Sequence, residues 1–191
     1  MAKNMMEIRW HGRGGQGAKT AALLVADAAL ATGKNVQAFP EYGPERMGAP
    51  VRSFNRISDE KITIHCAVEH PSIILVLDET LCNSVNVTEG VPDDGVIIIN
   101  TKKKAKEYKE QLKFKGKVFV VNASKIAMEN IGMNKPNTPM LGALIKATNI
   151  MDFKNMLADT SEKLKKKFAH KPEVVEGNIH AIKQAYEEVS E

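Results

Sequence analysis

The sequence predicts an α/β fold: an open, mostly parallel sheet with helices on both faces, an inserted hairpin and a C-terminal helical segment. Three observations carry this. Apolar, β-branched runs alternate with stretches of helical character. Two of those runs, at 73–77 (Ile-Ile-Leu-Val-Leu) and 96–99 (Val-Ile-Ile-Ile), are apolar without a break, as strands covered on both faces must be. The first run passes through a cluster of glycines straight into an Ala- and Leu-rich stretch that ends beside Gly33, the order strand, glycine loop, helix.

Taken in order, the parallel strands are expected at Glu7–His11, Val36–Phe39, Ile73–Asp78, Val96–Asn100 and Lys117–Asn122, with the first helix between Ala18 and Thr32. The strand-helix rhythm breaks once. Val51–Ile57 and Ile62–Cys66 alternate polar and apolar residues around Ser58-Asp59-Glu60-Lys61, which reads as a hairpin adding antiparallel strands. After Asn122, helices are expected near Ser124–Ile131, Leu141–Thr148 and Thr160–Phe168. A last one runs from about Pro172 to Glu188, with proline at its first turn, where the missing amide is not needed. A chain of 191 residues without a linker or repeat is read as a single domain, 1–191.

Composition removes several function classes. No stretch approaches the roughly 20 apolar residues of a membrane span, and the start lacks the apolar core of a secretory signal, so the expected location is the cytoplasm, with no membrane partner. The net charge of +4 comes from lysine clusters such as Lys102-Lys103-Lys104 and Lys165-Lys166-Lys167, which read as solvated helix faces. Aromatic residues are only 5% of the chain, too few to stack bases between basic residues, and nucleic acid is not an expected partner. The charge also suits a small polyanion. With two cysteines, Cys66 and Cys82, and no CxxC, the chain can build neither a disulfide framework nor a cysteine-ligated cluster.

The glycine loop is Gly12-Arg13-Gly14-Gly15-Gln16-Gly17, a G-x-G-x-x-G pattern between strand and helix. Its glycines let the backbone approach an anion, and the helix start adds free amides and a partial positive charge of about half an elementary unit. Lys19 and Thr20 stand ready to add phosphate contacts. A dinucleotide site needs an acidic residue about 20 positions on, at the tip of the second strand, to hold a ribose hydroxyl. Gln37, Ala38 and Phe39 stand there instead, with Glu41 only after Pro40, and no Walker A spacing is present. The loop is therefore either the cradle of a phosphate-bearing ligand other than NAD or a turn that packs helix on sheet.

A second constellation runs Phe39-Pro40-Glu41-Tyr42-Gly43-Pro44-Glu45-Arg46-Met47-Gly48-Ala49-Pro50-Val51. Its prolines fix φ and stiffen a loop that presents Glu45 and Arg46 near the glycine loop, at the strand ends where open α/β sheets bind ligands.

These two motifs in this order, His11 through Gly17 with Thr20-Ala21-Ala22 and then Glu41 through Val51, resemble the gamma subunit of 2-oxoacid:ferredoxin oxidoreductases, most closely the pyruvate type. The likeness extends through Asp78 and Asn122-Ala123 to Asn137-Thr138. It departs at Met47, where many relatives carry a second arginine. The resemblance implies a subunit of an enzyme that converts pyruvate, coenzyme A and oxidised ferredoxin to acetyl-CoA, carbon dioxide and reduced ferredoxin. It also implies partner subunits of alpha, beta and delta type, which carry thiamine diphosphate, Mg and iron–sulfur clusters, with ferredoxin reached through the complex. This chain has neither clustered cysteines nor a Gly-Asp-Gly…Asn thiamine diphosphate signature, so no catalytic residue is assigned to it. In the corresponding domain of fused relatives the glycine loop helps hold the coenzyme A nucleotide, which transfers to Gly12, Arg13, Gly14, Gly15, Gln16, Gly17, Lys19 and Thr20, with Glu45 and Arg46 positioning a ligand or neighbouring subunit. The alternatives are a purely structural assembly subunit, an enzyme for another 2-oxoacid, and a free-standing dinucleotide-binding protein.

The remaining histidines, His65, His70, His170 and His180, have no metal-like spacing, so no metal site is expected. Both cysteines read as small core residues, and Trp10 as core or interface filling. His11 is left without a role.

Overall fold

The computed structural model describes residues 5–41 and 47–191. Their strands are β1 (Met6–Arg13), β2 (Asn35–Pro40), β3 (Pro50–Ser58), β4 (Ile73–Val76), β5 (Val96–Asn100) and β6 (Lys117–Val121). The helices are α1 (Ala18–Ala31), α2 (Leu81–Ser84), α3 (Ala105–Gln111), α4 (Ala123–Ile131), α5 (Pro139–Thr148), α6 (Phe153–Lys167) and α7 (Pro172–Glu188). The six strands form one sheet in the order β2-β3-β1-β4-β5-β6.

β1, β4, β5 and β6 are parallel neighbours, with Ile8 opposite Ile73 and Ile73 opposite Val96. The two unbroken apolar runs supply β4 and β5, and alternate residues cover opposite faces. Leu75 and Ile98 join Ile8, Trp10 and the buried sides of α1, α5 and α7 in one core. Ile74, Val76, Ile97 and Ile99 join Leu81, Tyr108 and Phe114 in a second core beneath α2 and α3. Each fully buried aliphatic side chain contributes about 1.5–3 kcal/mol. The open sheet with helices on both faces stands as expected.

The antiparallel insertion takes a different form from the expected hairpin. β3 pairs antiparallel with β1 along one edge, Met6 opposite Ile57, and with β2 along the other, Asn35 opposite Ser58. Both edges of β3 are thus filled, which leaves no ladder for the expected second arm at 62–66. That segment is not a strand. Side chains hold it instead: Gln37 Nε2 donates to the Ile64 carbonyl at 3.0 Å and Arg56 Nη2 to the Cys66 carbonyl at 2.9 Å. Cys82 is buried, but Cys66 on this segment is exposed, which corrects its reading as a core residue.

Trp10 is fully buried and donates through Nε1 to Asn55 Oδ1 at 2.9 Å, while Asn55 Nδ2 donates to the Ala22 carbonyl at 2.7 Å, tying β1, β3 and α1 together. Beyond α7, Ser190 exchanges backbone hydrogen bonds with Val120 on β6. Among the described residues no helix is long and apolar enough to cross a membrane.

Candidate functional site

Strand β1 runs two residues further than its apolar pattern, so Gly12 and Arg13 are strand residues and the loop proper is Gly14 to Gly17. Gly14 is pinned on both sides: its amide donates to the Ala49 carbonyl at 2.9 Å and its carbonyl accepts from the Gly48 amide at 3.2 Å. Gly17 is the N-cap of α1 with φ +82°, a left-handed conformation that costs a side chain-bearing residue about 1–2 kcal/mol. No side chain caps this helix and no acidic residue lies in its first turn. Its first helical hydrogen bond is donated by Ala21 to Gly17, so the amides of Ala18, Lys19 and Thr20 have no helical acceptor.

Arg13 and Gln16 both reach Asp78 after β4, and Arg13 also lines a cleft beside the start of α1. Arg13 Nε lies 3.2 Å from Asp78 Oδ2, Nη1 donates to the Gly48 carbonyl at 3.1 Å, and Nη2 donates to Thr80 Oγ1 at 2.7 Å. Gln16 Nε2 donates to the same Asp78 oxygen at 2.9 Å while its Oε1 accepts from the Arg13 amide at 2.8 Å. These contacts clamp the loop after β1 to the segment after β4, the crevice at which chain order reverses in the sheet. Burial opposes the charge of Asp78, but hydrogen bonds from Thr80 and Gln16, with the Arg13 guanidinium, outweigh it and hold the carboxyl below its ordinary value.

The loop divides two openings. On one side a cleft of about 380 Å³ is lined by Gly14, Gly15, Gly17, Lys19, Met47 and Arg52, with further residues of β1 and β3. Lys19 faces this cleft; Thr20 does not. It lines a groove of about 370 Å³ on the other side, toward α6 and α7. The loop's predicted residues therefore serve two sides. Glu45 and Arg46 lie outside the described residues.

β1 also carries two buried polar side chains, Arg9 and His11, and His11 lines a separate opening with Glu41, Arg52 and Glu89. Arg9 Nε donates to His11 Nε2 at 3.0 Å, and Arg9 Nη2 donates to the carbonyls of Val87 and Glu89 at 3.1 and 2.6 Å. Burial, followed by the charges of Arg9 and Arg52, pushes the His11 pKa down to about 3, and burial and Arg52 bring Arg9 down to about 10. His11 is thus neutral, and because Nε2 accepts from Arg9 the proton sits on Nδ1. Arg52, opposite His11 on β3, grips Glu41 with two parallel hydrogen bonds of 2.5 and 2.6 Å, and that pairing raises its pKa. At the ends of β4 and β5, Glu79 accepts 2.5 Å hydrogen bonds from both Thr101 and Tyr108, an internally satisfied network.

Sequence reasoning missed Arg52 and Lys135 and gave Asp78 no partner. Lys135, whose Nζ donates to the Gly15 carbonyl at 3.0 Å, lies far along the chain with no local signal. Asp78 had one, as a carboxylate ending an apolar strand. Chemically, the arrangement offers free amides, a helix N-terminus and cations around a narrow loop, which suits anions rather than bond-breaking.

A family model described as pyruvate ferredoxin/flavodoxin oxidoreductase matches residues 7–188. The pyruvate synthase subunit PorC of Thermotoga maritima is 47% identical over 189 residues, covering 99% of this chain and 97% of that protein. The common gamma subunit of the pyruvate/ketoisovalerate oxidoreductases of Pyrococcus furiosus is 44% identical over 184 residues, covering 96% of each. The crystal structure of pyruvate oxidoreductase subunit PORC from Thermotoga maritima superposes with a TM-score of 0.86 at 46% identity, covering 98% of both chains.

Proposed function

Because the chain belongs to the pyruvate ferredoxin/flavodoxin oxidoreductase family, as a subunit of such an enzyme, we propose that its part is to bind coenzyme A and to help assemble the complex. The reaction it serves is the conversion of pyruvate, coenzyme A and oxidised ferredoxin to acetyl-CoA, carbon dioxide and reduced ferredoxin. The single observation that carries the binding role is the uncapped start of α1. Three amides without helical acceptors point out of a glycine turn beside Lys19, in a cleft whose described lining contains no carboxylate. Such a start favours a diphosphate by position, hydrogen bonding and field together.

The electron-transfer and decarboxylation groups fit this chain poorly. Its two cysteines lie apart, one buried within α2 and one exposed after β3, which cannot ligate a cluster. Thiamine diphosphate with its Mg, and the iron–sulfur clusters, belong on partner subunits of alpha, beta and delta type. The 2-oxoacid is read there too. Consistent with this, the Pyrococcus furiosus relative carries the name of a gamma subunit common to pyruvate and ketoisovalerate enzymes. Pyruvate is the preferred substrate because PorC of pyruvate synthase is the relative at 47% identity.

The test is Lys19→Ala in the assembled enzyme. A charge-assisted contact to phosphate contributes about 1.5–3 kcal/mol, so the KM for coenzyme A should rise about tenfold or more, while the KM for pyruvate holds. Lys19→Arg should restore most of the loss. An unchanged coenzyme A KM would leave the loop only its second reading, a structural turn, which the pinning of Gly14 to residues 48 and 49 favours.

A further inference from the structure

Arg9 is a buried cation with no carboxylate in contact among the described residues. It is 1% exposed, and its contacts are the His11 ring and two backbone carbonyls, those of Val87 and Glu89. Arg56, buried as deeply on the neighbouring strand β3, has Glu7 at 2.8 Å. A buried charge without an opposite one is costly, so the difference between the two arginines asks what answers Arg9.

His11 carries the influence of Arg9 to a cavity. Its Nε2 accepts from Arg9, the proton is on Nδ1, and Nδ1–H has no acceptor among the described residues. His11 is 3% exposed, yet no fully sealed side-chain nitrogen or oxygen lacks a partner among the described residues, so Nδ1–H opens on the cavity that the ring lines. That cavity holds about 310 Å³ and is walled by Pro50 and Val51 of β3 and by Leu81 and Val85 at α2. It shares Val51 and Arg52 with the cleft beside Lys19 but none of the loop's glycines. Its free polar groups are donors. Arg52 gives Nε and Nη2 to Glu41, while Nη1 is 3.8 Å from Glu89, outside hydrogen-bonding distance. Asn86 accepts from Thr88 through Oδ1, which leaves its Nδ2 free. Of the two lining carboxylates, Glu41 is held by Arg52, and Glu89 is 66% exposed, where water and salt screen it. The charges that act on His11 are both positive, Arg9 and Arg52.

We propose that this cavity binds a single carboxylate, which accepts from His11 Nδ1–H and has Arg52 as its cation. The carboxylate then answers Arg9 through the ring between them. Small-molecule pockets span about 300–1,000 Å³, and this volume stands at the low end. With its apolar wall it fits one carboxylate on a short aliphatic stem. Two sources share that chemistry: an Asp or Glu side chain of a neighbouring subunit, and a free short-chain carboxylic acid.

The experiment titrates the full chain with acetate and, separately, with acetamide at constant ionic strength, following the ring-nitrogen resonances of its five histidines. Acetate should give a saturable shift at His11 Nδ1 while His65, His70, His170 and His180 hold still, and the neutral acetamide should give none. Val85→Trp, which fills the cavity from a half-buried wall position, should abolish the acetate shift. No shift with acetate, an equal shift with acetamide, or a shift that survives Val85→Trp would overturn the site. The first two outcomes need no variant, so they decide the matter even where tryptophan disturbs the fold. Co-expression with the partner subunits then separates the two sources. A partner's carboxylate makes Val85→Trp assemble about tenfold more weakly or worse, the loss of one charge-assisted contact, whereas a free acid leaves assembly unchanged. None of these readouts involves coenzyme A, so the site is decided independently of Lys19→Ala.

Discussion

At the carboxyl end of the sheet, Gly15 and Gly17 have left-handed backbones and face movable neighbours, the Met47 sulfur and the Asn137 amide. In the helical layer, Gly142 of α5 and Gly177 of α7 have no positive φ, and each is pressed against a backbone carbonyl, that of Ile182 and of Asn130 respectively. The first pair keeps side chains out of a space that a ligand can enter. The second keeps them out of a space already filled, so that α7 can meet α5 at Gly142 and α4 at Gly177, backbone to backbone. The same residue type therefore borders an open cleft at one end of the molecule and a packed helix contact at the other, and only the neighbouring atoms tell which.

Three measurements tell the two ends of the molecule apart. Gly142→Ala should give the largest effect, a loss of about 3 kcal/mol or more in denaturant unfolding, because a carbonyl on a packed helix cannot move aside as a side chain can. A loss below about 1 kcal/mol would mean that α5 and α7 separate easily.

Next comes acid sensitivity at the polar end. Folded His11 refuses the proton that the unfolded chain accepts near the ordinary histidine value of 6.5, because burial and then Arg9 and Arg52 hold it at about 3. Its contribution is complete above the unfolded value and is lost as pH falls from 6.5 toward 3, reaching about 2 kcal/mol at pH 5. Unfolding followed from pH 7 to pH 5 should show that slope in the wild type and a flatter one in His11→Gln, which keeps an acceptor for Arg9. Parallel slopes would remove His11 as the cause.

Gly17→Ala should give the smallest loss of the three, about 1 kcal/mol, chiefly from its left-handed backbone, since the Asn137 side chain can swing away. A loss as large as that of Gly142→Ala would erase the distinction between the two kinds of glycine.

How much of this was legible in the sequence depends on the reach of each contact. The apolar runs at 73–77 and 96–99 announced central strands because a strand buried on both faces leaves no choice of residue type. The alternation at 51–57 misled, since it implies one wet face. In fact Ser53, Asn55 and Arg56 are buried, with Arg56 tied to Glu7 at 2.8 Å, to Gln37 at 3.2 Å and to the carbonyls of Cys66 and Ala67. A charge can be buried when each donor meets an acceptor, and those acceptors come from distant segments. At the site, the order of strand, glycines and helix was local and readable. The swing of Arg13 and Gln16 toward Asp78 was not, nor was the arrival of Lys135 and Asn137 beside the loop, because those partners lie many residues away.

The position of β3 also bears on how the chain is made. β1 and β2 flank α1 and point the same way, yet they share no hydrogen bonds; each is joined to the other only through β3, as Arg13 pairs with Pro50 and Asn35 with Ser58. The strand-helix-strand unit at the start of the chain is therefore not a self-sufficient folding nucleus. Its closure must wait for a long loop to return, with the entropy that such a return costs. During synthesis, β1 and β2 cannot join one sheet until Ser58 has followed them. During that interval the edges that β3 will cover are open to any other unpaired strand, and β1 keeps its other edge open until β4 has followed.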